Sequence, residues 1–234
     1  MNETEIMYRQ TDIWKIFRYN AFTLSQKNMW NYGGTPFSNN ASLRWQSMTM
    51  NRYEWDVKET FAWNWLDSRL LRGGPDVRFG SYFLTSAKFN TDKAKRMMFM
   101  LKYEGDHNFE GNRFNTISPS LTFRLGNHVY LSGQLDYAWN TDEMQYVATT
   151  SPLSSSSLAP YYYVMGHMDQ KTYGLTLKLQ VNVTPDISIQ FYGAPFTSIA
   201  KYDDFKLAAD TKSHTFENRF QRIDPDQLTY ADGV

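Results

Sequence analysis

Residues 172–196 read TYGLTLKLQVNVTPDISIQFYGAPF, and this stretch alternates apolar and polar side chains over two segments. In the first segment every second residue from Tyr173 to Val183 is apolar, and the intervening residues are polar or glycine. The alternation resumes from Ile187 to Phe191, after a turn at Thr184–Pro185–Asp186. Because a period of two places alternate side chains on opposite faces of a strand, the stretch predicts a β-hairpin. Its strands are long enough for a transmembrane barrel strand, which needs about 9 to 11 residues.

The composition excludes several classes of protein. The formal net charge is +0, so no electrostatic partner such as nucleic acid is expected. The chain has 0 cysteines, which excludes a disulfide framework and thiolate metal sites. No apolar run reaches about 18 residues, so the sequence predicts no transmembrane helix. The high aromatic content, 17%, is compatible with both a soluble carbohydrate-binding sandwich and a membrane barrel.

The rest of the chain repeats the alternating unit. The third alternating segment, residues 53–66, carries several aromatic side chains on one face, which is typical of a strand that crosses two aromatic girdles. A sandwich strand with an aromatic core stripe would have the same pattern. In all, about ten strands are predicted, at residues 14–30, 41–51, 53–66, 77–89, 95–104, 114–124, 128–140, 161–184 and 187–191, with a weaker one within 205–220.

The predicted connections alternate in length. Short turns follow the even-numbered strands, and longer loops follow the odd-numbered ones, at residues 31–40, 67–76, 104–113 and 141–160. Outer-membrane barrels have short periplasmic turns and longer extracellular loops, whereas a Greek-key sandwich has no reason to alternate in this way. The predicted fold is therefore all-β, an antiparallel up-and-down transmembrane β-barrel with part of its wall visible. It forms a single domain, residues 1–234, in which 1–13 and 223–234 are expected to be irregular.

On this fold, the alternation assigns side chains to lipid and to the lumen. The predicted lipid-facing residues are Trp55, Trp63, Trp65, Tyr137, Trp139, Tyr173, Leu175, Leu177 and Leu179. The predicted lumen-facing residues are Gln134, Asp136, Lys178, Gln180, Asn182 and Gln190. Polar lumen residues can select solutes, or they can pair with one another across a plugged interior. Because these residues carry charges of both signs, the interpretation that they pair with one another is favoured.

The sequence contains little sign of catalytic or metal chemistry. Its histidines, at 107, 128, 167 and 214, form no His-x-His or His-x-x-x-His pair, so no zinc site and no cofactor are expected. Carboxylates at Asp106, Glu110, Asp142 and Glu143 fall in predicted outer loops. They could hold calcium or act as an acid and base, but solvated loop charges are the favoured interpretation. A role other than catalysis is therefore favoured.

Two segments resemble a known family. LLRGGPDVRFG (70–80) and LTLKLQVNVTPDISIQFYGAPFTSIAKYDDF (175–205) resemble the C-terminal barrel region of the domain of unknown function 5916 family, an uncharacterised outer-membrane family of Gram-negative bacteria. The resemblance extends more weakly over most of the chain. It is most specific at Arg72, Gly73, Gly74 and Pro75, at Thr184, Pro185 and Asp186, and at Ala194, Pro195 and Phe196 followed by Lys201 and Tyr202.

The resemblance implies a location in the outer membrane of a Gram-negative bacterium and contact with membrane lipid. It also implies a barrel that anchors a surface glycan-binding protein and passes solutes such as saccharides. Family members usually carry a signal peptide and an N-terminal domain similar to family 9 carbohydrate-binding modules, so we expect this chain to be a fragment at both ends. No catalytic residue carries over from the family. The alternatives are a soluble all-β carbohydrate-binding module and a membrane-embedded hydrolase.

Overall fold

The computed structural model describes residues 1–34, 36–63, 65–126, 128–150, 161–184 and 186–224, without the side chains of Phe37 and Trp65. Nearly all of this part of the chain is β-structure. The strands are β1 (Asn2–Gln10), β2 (Phe17–Trp30), β3 (Pro36–Thr49), β4 (Glu54–Trp63), β5 (Trp65–Asp67), β6 (Val77–Phe79), β7 (Tyr82–Asn90), β8 (Met97–Asn108), β9 (Arg113–Leu125), β10 (Val129–Thr150), β11 (Tyr162–Thr184), β12 (Ile187–Gly193), β13 (Phe196–Ala208) and β14 (Phe220–Arg222). A short 3₁₀ helix, Phe216–Arg219, precedes β14. No helix in these described ranges is long and apolar enough to cross a membrane.

Twelve of the strands form an antiparallel sheet in the order β1-β2-β3-β4-β7-β8-β9-β10-β11-β13-β14, with β12 also paired to β11. β12 pairs with the C-terminal half of β11 and β13 with its N-terminal half, so the two act as one long strand interrupted at residues 194–195. β5 and β6 form a separate hairpin between β4 and β7. The all-β prediction is confirmed. Among the described residues no pairing joins β1 to β14, so the sheet is open there.

Side chains segregate to two faces of this sheet. One row of directly opposed residues on the apolar face runs Tyr8, Phe22, Trp45, Val57, Ala87, Tyr103, Ile117, Tyr137 and Tyr173. A neighbouring row on the polar face runs Arg9, Ala21, Gln46, Asp56, Lys88, Lys102 and Ser118. The period of two seen along each strand therefore continues in register across the sheet, which makes one face mainly apolar and the other mainly polar.

At one end of the sheet a second structure, the cap, is built on strands that extend beyond β9. The cap consists of residues 66–80 and 209–222, together with the strand ends 142–150, 162–168 and 202–208. It encloses a cluster of buried apolar side chains, Leu71, Val77, Met144 and Met165, with Phe79, Tyr146, Tyr163, Phe216 and Phe220 packed around them. In the described part of the chain every buried apolar side chain larger than alanine lies in this cap.

The structure corrects the prediction that residues 1–13 are irregular. Asn2–Gln10 forms β1, which pairs with β2 along its whole length. The alternation in β1 is short and is interrupted by charged residues, so it is weak in the sequence. The strand forms because the edge of β2 offers a row of unpaired backbone groups and an apolar face that Ile6 and Tyr8 extend.

Several predicted loops are also shorter than expected, because the strands continue further. β3 begins at Pro36, β8 continues to Asn108 and β10 continues to Thr150, inside the predicted loops 31–40, 104–113 and 141–160. The connection 109–112 is as short as the turn 50–53 at the opposite end, so the predicted alternation of loop lengths is only partial. Predicted loop residues 151–160 and predicted tail residues 225–234 lie outside the described residues.

Candidate functional site

The polar face carries a network of paired side chains. Arg44 on β3 donates two hydrogen bonds to the carboxylate of Asp56 on β4, at 2.8 and 2.5 Å. On the neighbouring part of the sheet, Ser118 and Gln134 both donate to Asp136, at 2.5 and 2.8 Å. Such a bidentate guanidinium–carboxylate pair and a doubly bonded carboxylate satisfy charges that a purely apolar environment would leave unpaired.

The other predicted lumen-facing residues lie on this same polar face. Gln180 donates to Asn182 at 3.2 Å and lies directly opposite Gln190. The ammonium of Lys178 lies 5.6 Å from the centre of the Tyr192 ring. The residues therefore share a face, and they pair largely with one another. That this face lines a lumen stays a prediction.

The predicted lipid-facing residues occupy the opposite, apolar face. Those placed in the main sheet are Trp55, Trp63, Tyr137, Trp139, Tyr173, Leu175, Leu177 and Leu179. Tyr137 stacks on both Trp139 and Tyr173, with ring centres 5.2 and 5.0 Å apart. Trp65 was predicted to continue the same strand, but it begins β5, which pairs with β6 and not with the main sheet. Its side chain lies outside the described part of the structure. Contact of the apolar face with lipid stays a prediction.

A cavity of about 430 Å³ opens between the cap and the polar face; we call it the mouth cavity. Its base is a row of directly opposed residues on four adjacent strands, Leu84, Asp106, Phe114 and Asn140. The other residues around it are Asp67, Phe79, Tyr82, Asn108, Asn112, Arg113, Thr141 and Asp142. Burial raises the pKa of Asp142, which lies in the strand end beyond β9. The cavity therefore combines aromatic walls with acidic and amide groups.

A buried ion pair joins two segments of the cap to the connection between β8 and β9. The side chains of Arg219 and Glu110 are 1% and 12% exposed, and their closest atoms are 2.7 Å apart. Every N–H of the Arg219 guanidinium has an acceptor, because it also donates to the backbone carbonyls of Arg78, Ser213 and His214. Glu110 additionally accepts the backbone N–H of Gly80 at 3.0 Å. The pair thus fixes residues 78–80, 110 and 213–219 relative to one another.

A second ionic group of the cap is centred on Glu143. His167 Nδ1 lies 2.9 Å from Glu143 Oε1, and His167 Nε2 lies 3.4 Å from Asp169 Oδ2. The ammonium of Lys206, 4% exposed, lies 3.7 Å from Glu143 Oε2 and near the ring of Phe216. Burial lowers the pKa of His167, but its hydrogen bonds with Glu143 and Asp169 outweigh burial and raise the pKa overall.

We expect the cap to lose stability as the pH rises through the pKa of His167. Because this pKa is raised on folding, the stabilisation is fully present below the ordinary histidine pKa, about 6.5, and is lost above the raised value. The loss should reach at most about 1 kcal/mol, since the pair is partly exposed. Hydrogen exchange of residues 203–208, corrected for intrinsic rates, measures it across the pH range. His167→Gln should flatten the pH dependence of exchange. His128→Gln, at the opposite end of the sheet, should leave that dependence unchanged. An equally steep profile in His167→Gln would contradict this assignment.

The Arg72–Pro75 loop packs on the strand ends of β10 and β11. Arg72 and Gly73 both have positive φ, 48° and 105°, a conformation that glycine adopts without strain. A Cβ at Gly74 would lie 2.6 Å from the ring of Tyr163, so only glycine fits there without a shift. The Arg72 guanidinium lies 4.7 Å from the centre of the Tyr146 ring. Arg72, Gly73 and Gly74 therefore let the loop pack closely on Tyr146 and Tyr163.

The second motif forms the turn between β11 and β12. Thr184 Oγ1 accepts the backbone N–H groups of Asp186 and Ile187, at 3.3 and 3.1 Å. This side-chain-to-backbone bonding is the usual reason for threonine in a tight turn. Pro185, the middle residue of the motif, lies outside the described residues.

Comparison with known proteins identifies the family. A family model described as domain of unknown function (DUF5916) matches residues 2–229. The chain belongs to this family. No curated protein and no solved structure matches the chain. The resemblance found at the two motifs is therefore confirmed, and it extends over nearly the whole chain.

The structure changes the interpretation of the four loop carboxylates as solvated charges. Glu110 is buried against Arg219, and Glu143 is half-buried between His167 and Lys206. Asp106 and Asp142 line the mouth cavity. Within the described ranges, no group of three or more histidine, cysteine or acidic side chains could hold a metal ion. Arg219 was not singled out from the sequence, because it lies in a segment without periodicity.

Proposed function

We propose that this chain forms an outer-membrane β-barrel domain of a Gram-negative bacterium. The observation that carries the proposal is the contrast between the two parts of the molecule. The cap has a buried apolar core, as a structure in water has. The sheet leaves its apolar face exposed from β1 to β13, with side chains such as Leu24, Leu43, Leu135 and Ile199 each more than half exposed. Contiguous apolar surface on this scale marks contact with a membrane or a protein.

Lipid is the occupant that suits this face best. The aromatic residues on it include Trp55, Trp139 and Tyr173, and tryptophan and tyrosine concentrate where a barrel meets the membrane–water interface. On the opposite face the paired charges of Arg44 and Asp56 would lie in an aqueous interior. The cap, on the side of the longest connections, would then lie outside the cell.

The proposal requires that the sheet edges be paired. In hydrocarbon each unsatisfied backbone group costs several kcal/mol, so spanning sheets are closed. The free edges of β1 and β12 therefore need strand partners in the assembled domain. Support for this comes from the exposed Ile6 and Tyr8 on β1 and the exposed Ile189 and Phe191 on β12, which continue the apolar face to both edges.

Within this architecture, the domain anchors a surface glycan-binding protein and passes solutes such as saccharides. The polar face supplies the hydrophilic interior that either passage or a plugged anchor needs. The mouth cavity gives a solute a place to bind below the cap. The buried ion pair of Arg219 and Glu110 holds the cap over that place.

Fractionation tests the proposal. The expressed chain is expected to sediment with membranes, to resist extraction by salt, and to dissolve only in detergent. Its electrophoretic mobility should change on heating, because a closed barrel resists unfolding until heated. A compact monomer in buffer without detergent would instead support a soluble all-β binding module. That result would overturn the membrane proposal.

A further inference from the structure

The mouth cavity has the size of a ligand site and an alternating base. Its volume, about 430 Å³, lies within the range of about 300 to 1,000 Å³ typical of small-molecule pockets. Along the base, apolar and polar side chains alternate from strand to strand, in the order Leu84, Asp106, Phe114 and Asn140. A ligand on this base would meet an aromatic ring between two hydrogen-bonding groups.

The spacing of the base suits a ring that carries hydroxyl groups. Asp106 and Asn140 lie on either side of Phe114, two strand spacings apart, which is about 9.6 Å. A hydrogen bond of about 2.8 Å at each end leaves about 4 Å between the two ligand oxygens. A six-membered ring that carries several hydroxyl groups can bridge a gap of that order. The ring would lie on the face of Phe114.

The charges around the cavity disfavour a negatively charged ligand. Asp67, Asp106 and Asp142 would repel an anion. A hydroxyl both donates and accepts hydrogen bonds, so it can use the carboxylate acceptors as well as the amide donors. In the described part of the chain the side chain of Asn140 makes no hydrogen bond or ion pair with another residue, so it is free to bind a ligand.

From this geometry we propose that the mouth cavity binds one ring of an uncharged saccharide, which stacks on Phe114 and hydrogen-bonds to Asp106 and Asn140. Phe79 and Tyr82 form the apolar walls beside it. The proposal deepens the solute-passing part of the proposed function and rests on it for the origin of the ligand. The site itself depends only on the cap and the polar face.

Saturation-transfer NMR and calorimetry on the purified chain test the site. The probes are glucose, maltotriose and cellotriose, with tetramethylammonium and inorganic phosphate as charged comparisons. At least one saccharide should bind. Asn140→Ala should weaken it by about tenfold, the effect of one lost hydrogen bond. Phe114→Ala should weaken saccharide binding at least as much. Phe114→Leu removes the aromatic ring but keeps apolar bulk, so it serves as a second variant if Phe114→Ala does not fold. Ser132→Ala, on the polar face of β10 away from the cavity, is the matched control.

Two results would overturn the site. One is the absence of binding by every saccharide up to its solubility limit, with or without binding of a charged probe. The other is saccharide binding that survives Asn140→Ala and Phe114→Ala unchanged. Detergent-dependent protein that binds no saccharide would refute the site and leave the membrane proposal intact. Saccharide binding by a chain that needs no detergent would refute the membrane proposal and leave the site intact.

Discussion

Replacing Arg219 by methionine is expected to destabilise the cap by about 3 to 5 kcal/mol, the usual cost of breaking a buried ion pair from one side. Methionine fills similar space but leaves the carboxylate of Glu110, 12% exposed, without its cation. It also leaves the carbonyls of Arg78 and Ser213 without their donors. Local opening should follow. Faster hydrogen exchange and proteolysis of residues 209–219, with the strands of the main sheet still protected, are the measurements.

Two further variants separate the ion pair from simple loss of packing. Adding Glu110→Gln to Arg219→Met should recover part of the stability, because no charge is then left buried alone. Arg222→Met makes the same substitution three positions on, where the side chain is 82% exposed and lies 3.5 Å from Asp204. That variant should change stability by less than about 0.5 kcal/mol. Equal protection of residues 209–219 in the Arg219 and Arg222 variants would refute the role given to the pair.

The strands of the main sheet were predictable because their signal is local. In residues 172–184 the alternation that predicts the strand is also what places Leu177 on one face and Lys178 on the other. The signal fails where pairing is imposed by a neighbour. The alternation in β1 is short and interrupted by charged residues, and residues 144–150 of β10 have no alternation, yet both form strands because an adjacent strand supplies the hydrogen bonds.

The cap and the mouth cavity could not be predicted, because both depend on contacts between distant segments. Arg219 and Glu110 lie 109 positions apart, and neither is part of a periodic pattern. The base of the cavity alternates across strands and not along the chain. Placing Asp106 opposite Phe114, and Phe114 opposite Asn140, requires the register of three strands, which turn geometry sets. The Arg72–Pro75 motif could be recognised in the sequence, but its packing against Tyr163 could not be predicted from it.

Replacing Leu177 by arginine is expected to hinder membrane assembly by about 2 to 4 kcal/mol, the cost of a cation on the lipid face near the middle of a barrel wall. Leu177 lies on the apolar face between Gly133 and Gly193, with Leu175 and Leu179 on either side along the strand. Both cross-strand neighbours are glycines, so neither has a side chain that could neutralise the charge. The fraction of chain that reaches the heat-modifiable form in detergent or vesicles measures the effect.

This substitution also separates lipid from water as the medium around the apolar face. Leu177 is 38% exposed, and an exposed surface substitution in water changes stability by only about 0.5 kcal/mol. Thr176→Arg places the same charge one position earlier, on the polar face opposite Gln134, and should assemble normally. If Leu177→Arg assembles as well as Thr176→Arg, the apolar face does not meet lipid at this strand. A selective failure of Leu177→Arg is the outcome that a membrane-embedded wall requires, because only hydrocarbon distinguishes the two faces so strongly.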